Sequence, residues 1–117
     1  MAKSKNINLH LSMKRLEINI PIYDQKIVVL QHSDFLEVTE YLNVTYNVNI
    51  SPKGDAWCVV MPNMDIVMVF LPDVCDSYIV HECVHAAFAL ADMLGIEDEE
   101  SICYFTEYIF KQIKNHV

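Results

Sequence analysis

Apolar and polar side chains alternate through RLEINIPIYDQKIVVLQ, residues 15 to 31, and the alternation breaks at YDQK. A period of two marks half-buried strands, so this stretch predicts two strands joined by a turn. Pro21 belongs at an edge or a strand end, because proline cannot donate to a ladder. The spacing changes in SDFLEVTEYLNVTYN, where Phe35, Leu36, Val38 and Leu42 are the apolar positions. Ser33 or Asp34 can cap a helix there, and Glu37 follows Asp34 by three, so a short helix is predicted. After a turn at SPKGD, the runs AWCVVMP and DIVMVFLP read as a hairpin about PNMD. Both runs are almost continuously apolar, so helices should cover at least one face of the sheet.

From DVCDSY onward the period becomes helical. Asp73, Asp76 or Ser77 can cap a helix that runs to Gly95, a natural C-terminal stop. GIEDEE is the connection, and its acids favour the start of a further helix. ESICYFTEYIFKQIKN is that helix, with Ile102, Phe105, Ile109 and Ile113 as its core stripe and Lys111 and Lys114 near its end. Strands first and two long helices last give an α+β fold, a small, mostly antiparallel sheet under a helical pair.

Composition sharpens this outline. The 117 residues suit one domain with a single core, residues 1–12 forming a loose N-terminal segment. A formal net charge of −8 argues against binding nucleic acid or an anionic membrane surface. The longest apolar run, IVMVFLP, is too short to cross a bilayer, and the charged N-terminus has no apolar run behind it, so a cytoplasmic location is expected. Cys58, Cys75, Cys83 and Cys103 form no C-x-x-C pair and read as buried thiols. Trp57 and the six methionines read as core, and His10, His32 and His116 as surface or capping residues.

The chemistry lies in HECVH, residues 81–85. On a helix, residues four apart stack on one face, so His81 and His85 present two imidazoles to one Zn²⁺. Glu82 is rotated by about 100° from His81, out of easy reach of the metal but within reach of a water on it. Zinc lowers the pKa of such a water to about 7, and Glu82 is the general base that takes its proton. With five histidines, a chance HExxH arises in roughly one such chain in a hundred, and here the motif falls inside the clearest helix.

Zinc needs a third protein ligand. After His85 the candidates are Asp92, Glu97, Asp98, Glu99, Glu100, Glu107 and His116. Asp92 is two turns away on the same helix, and Glu97 and Asp98 fall in the turn. Glu100 and Glu107 share one face of the last helix. Closely antiparallel helices favour Glu107, and a steep crossing favours Glu100; the spacing leaves both open. Tyr78, Tyr104 and Tyr108 are the candidate donors to an oxyanion.

HECVHAAFALADMLGI followed by EESICYFTEYI resembles the gluzincin metallopeptidase pattern, HExxH followed by a glutamate on the next helix, and in particular the small metallopeptidase-like proteins of bacteriophages. The resemblance is carried by the last third of the chain. It implies a minimal zincin-like domain over residues 1–117 and Glu100 as the third zinc ligand, with Cys103 in the small position after it. It also implies a peptide or protein substrate, cleaved in the cytoplasm of a host cell, held on a strand beside the active-site helix, a role that DIVMVFLP suits. A zinc-bearing interaction module that cleaves nothing is the alternative. At this length a cleft is shallow and formed partly by a partner or second subunit, and a homodimer is one such arrangement.

Overall fold

Five consecutive residues with no exposed surface, Ile66 to Phe70, mark the centre of the molecule. They form strand β4 (Ile66–Phe70), flanked in the sheet by β2 (Gln25–Gln31) and β3 (Ala56–Val60), with β1 (Lys14–Ile20) beyond β2. Three helices complete the chain: α1 (Phe35–Tyr46), α2 (Asp76–Leu94) and α3 (Glu99–His116). The computed structural model describes residues 13–20, 23–52 and 54–116. The expectations for residues 1–12, including His10, and for Pro21 lie outside the described residues.

The order β1-β2-β4-β3 makes the sheet mixed. β1 and β2 are antiparallel, as are β3 and β4, while β2 and β4 run parallel. The parallel pair needs a long crossover, and the segment holding α1 and β3 supplies it. The β3–β4 turn closes with Met61 N–H donating to the Asp65 carbonyl at 2.8 Å, and Met64 adopts φ 74°.

Alternation sorts the strand side chains onto two faces. Ile27, Val29, Ile66, Met68 and Phe70 point to one face, where Ile79, Cys83, Ala86 and Leu90 of α2 and Ile109 and Ile113 of α3 meet them. Val28, Leu30, Val67 and Val69 point to the other, where Val38, Tyr41 and Leu42 of α1 pack with Trp57 and Met61. The sheet is thus covered on both faces, and the α+β expectation holds. Ile102 differs from its predicted role: it is half-buried at the α2–α3 groove, while Ile109 and Ile113 carry the stripe. Among the methionines, Met13, Met61 and Met68 are core, but Met64 is half exposed in its turn.

The caps place the helices. The Asp34 carboxylate accepts from the backbone N–H of Leu36 and of Glu37. α2 departs from expectation. Its N-cap is Cys75 with no side-chain cap bond, because Asp76 is drawn to Lys114 Nζ at 2.8 Å and the Ser77 hydroxyl to Cys75 Sγ at 3.1 Å. Gly95 ends α2 at φ 69°, its N–H bonded back into the last turn, as predicted. The Asp98 carboxylate then accepts from Ser101 N–H at 2.9 Å and starts α3. His32 also departs from its surface reading. It is buried and lies 2.9 Å from Glu37, because residue 32 immediately follows β2 and its N–H donates to the Phe70 carbonyl.

Candidate metal centre

Helix α2 presents three sectors. Ile79, Cys83, Ala86 and Leu90 enter the core. His81 and His85 are exposed, one turn apart. Glu82 lies between these sectors and faces the edge strand β3. With about 100° of rotation per residue, this division follows from the sequence once the core face is fixed.

The two imidazoles converge. His81 Nε2 and His85 Nε2 are 3.2 Å apart, with ring centroids at 4.8 Å and planes inclined by 74°. Two nitrogens that share one tetrahedral zinc, each about 2.0–2.1 Å from it, stand roughly 3.3–3.4 Å apart. The pair therefore has the bite of a zinc chelate. Across the same gap one neutral ring can donate a hydrogen bond to the other.

Glu82 is the unusual residue. Among the described residues the buried polar or charged side chains are Gln31, His32, Thr39 and Glu82. Gln31 donates to the Pro72 carbonyl, His32 meets Glu37, and the Thr39 hydroxyl donates to the Phe35 carbonyl. Glu82 is 7% exposed and has no such partner among the described residues. It lines two hollows instead. One, of about 420 Å³, is bounded by Asp55, Ala56, Ser77, Tyr78, His81 and Glu82. The other, of about 390 Å³, runs past Glu82, His85 and Ala89 along β3. The two hollows share Ala56 and Glu82 in their walls and lie side by side in a trench-like region between α2 and β3.

The thiols nearby are held neutral. Burial pushes Cys58 up to about 12, with the charges of Glu82 and Cys83 adding to the effect. Burial likewise raises Cys83 to about 12, with Glu82 again second. Protonated thiols are poor zinc ligands, since the thiolate is the ligand form.

The structure does not bring a third donor to the pair. Among the described residues no group of three His, Cys, Asp or Glu side chains is placed to hold a metal. Glu100 is exposed in the first turn of α3 and lines neither hollow. Glu107 faces a separate groove between α2 and α3 and binds Lys111 Nζ at 2.7 Å. The carboxylate that does share a hollow with His81 and Glu82 is Asp55. Sequence reasoning missed it by searching only beyond His85; its one signal was the SPKGD turn directly before a strand. Of the three tyrosines, Tyr78 lines that hollow, while Tyr104 and Tyr108 line neither.

The substrate strand is also corrected. DIVMVFLP contributes β4, which has neighbours on both sides and cannot accept another strand. β3 is the edge, and it borders the trench. Among the described residues, no helix is long and apolar enough to cross a membrane. The chain matches no family model, no curated protein and no solved structure.

Proposed function

We propose that the protein is a zinc-dependent peptide hydrolase whose metal is held by His81 and His85. The observation that carries this reading is the 3.2 Å approach of the two Nε2 atoms beside a buried carboxylate with no protein partner among the described residues. His81 and His85 would hold the zinc, and the chemistry it would supply there is Lewis acidity that makes water easier to deprotonate. Glu82 would serve as the general base, taking a proton on its carboxylate and returning it to the leaving amine. The outer edge of β3, which pairs with no strand among the described residues, lines the trench and suits an extended peptide held by strand addition, its backbone paired with that of β3. Tyr78 lines the same hollow as His81 and Glu82 and is the candidate donor to a developing oxyanion in this reading. The location in this reading is the cytoplasm of a host cell, as the resemblance to bacteriophage proteins implies.

Glu100 remains the third donor on the sequence pattern alone, and Asp55 is its rival on position. Chelator competition separates them: the variant that loses its ligand releases zinc where the unmodified protein retains it. Loss of an outer partner typically weakens metal binding about 10–100-fold, and loss of a ligand more.

The test of the function is Glu82→Gln, assayed on a quenched peptide library with zinc content measured in parallel. Hydrolysis should vanish and zinc should stay. A variant that cleaves as before would remove Glu82 from the chemistry. A second reading, a zinc-binding interaction module without activity, is favoured by the donor set stopping at two among the described residues and by the shallow form of the trench. It predicts bound zinc and no cleavage by the unmodified protein.

A further inference from the structure

On the side of the histidine pair away from Glu82, α2 carries a second pattern that the hydrolase reading does not use. Val80, Val84 and Phe88 recur at intervals of four, the spacing of a packing face. They are 41%, 37% and 56% exposed. Facing them across a groove are Ile102, Thr106 and Phe110 of α3, around a volume of about 610 Å³. That is ample for the side chains of a docked element. None of His81, Glu82 or His85 lines it, so occupancy of the groove does not depend on the metal.

The groove has a charged end. Glu97 and Glu99 lie where α2 turns into α3, and neither has an ion pair among the described residues. Asp98 is used by Ser101, and Glu107 on the wall is answered by Lys111. The open negative charge is therefore concentrated at one end of an apolar floor.

We propose that this groove binds an amphipathic helix of a partner protein, with apolar side chains at i, i+4 and i+7 on the floor and a basic end against Glu97 and Glu99. Its walls are two helices whose interior backbone groups are already paired, so an extended peptide would leave its own N–H and C=O groups without partners. A helix brings its backbone bonds with it. Val80 to Phe88 spans about 12 Å, two to three turns of such a helix. Charge selects a basic occupant, since the chain carries a formal −8. A second copy is poorly suited for the same reason. It repels, and its α3 lysines Lys111 and Lys114 are already paired with Glu107 and Asp76.

The test uses the full chain and a fluorescent synthetic peptide of about 18 residues, long enough to populate helix. It carries leucines at the stated spacing and arginines at one end. Anisotropy titrations compare it with a scrambled peptide of equal composition and with one ending in glutamates. Saturable binding of the patterned basic peptide alone is expected. Val84→Asp should weaken it by about ten-fold or more, as for a central anchor. Glu97→Lys with Glu99→Lys should weaken it comparably and admit the glutamate peptide. Both changes are at the surface, and matched circular dichroism and melting curves establish that the variants fold. Equal binding of the scrambled peptide, no saturable binding, or no loss in the variants would overturn the proposal. So would sedimentation showing a dimer of the unmodified chain that Val84→Asp dissociates, which would make a second copy the occupant.

Discussion

Replacing Glu82 with leucine should make the protein more stable. A buried polar group without a hydrogen bond costs about 1–3 kcal/mol in mutational series. Glu82 is 7% exposed and has no protein partner among the described residues, but its carboxylate oxygens are not sealed from solvent. Its carboxylate opens on the trench, so some hydration persists and the lower part of the range applies. Leucine has similar volume and equal or better helix propensity, so neither packing nor helix formation opposes the change. The expected gain is therefore about 1 kcal/mol or less, a rise in melting temperature of up to roughly 4 °C for a domain of this size. Urea and thermal unfolding, both with chelator present to exclude any metal contribution, measure it. Glu82→Gln serves as the control that removes the charge and keeps the polar shape, and it should gain less. Natural chains keep such a residue when function requires it, at the expense of stability. If Glu82→Leu is less stable by about 1 kcal/mol or more, a typical hydrogen bond's worth, the carboxylate has a structural partner in solution and is not isolated.

Packing and titration set the other expected outcomes. Ile109→Ala should cost about 2–5 kcal/mol, since Ile109 has no exposed surface and its removal leaves a cavity. Ile102→Ala, at the open groove, should cost far less in the same urea titration. Alkylation of the folded protein followed by mass spectrometry should label Cys75 before Cys58, because the Ser77 hydroxyl lowers the exposed Cys75 thiol while burial raises Cys58. The Cys58 thiol is near 9.0 when unfolded and near 12 when folded, so its neutral burial favours the native state fully below pH 9.0. That advantage is lost as pH rises towards 12, because only the unfolded chain releases the proton over this interval. Stability measured across the alkaline range should fall, and less steeply in Cys58→Ala.

Periodicity carried the fold well where one face of an element is buried. The Gly95 stop, the Asp34 cap and the β3–β4 hairpin were all legible, because each depends on local backbone chemistry. The parallel pairing of β2 with β4 was not, since strand order depends on which faces the helices cover, and runs such as IVMVF look alike in any interior position. The α2 cap departs from its local signal because a tertiary ion pair, Asp76 with Lys114, outcompetes the local bond. The burial of His32 is invisible in the sequence because nothing near it announces the parallel partner strand. The histidine pair was legible because four-residue spacing on a helix fixes it. The third donor was not, because it depends on the distance between elements, which spacing alone does not encode.

Joint binding of one zinc by His81 and His85, as proposed, can be read from imidazole nitrogen resonances followed during zinc titration. The ring nitrogens of His81 and His85 should shift together and saturate at one equivalent, while those of His32 and His116 stay where they were. His81→Ala or His85→Ala should abolish the response at the remaining histidine at that stoichiometry. Resonances of His81 and His85 unmoved by one equivalent, or shifts spread evenly over all the histidines, would contradict joint binding.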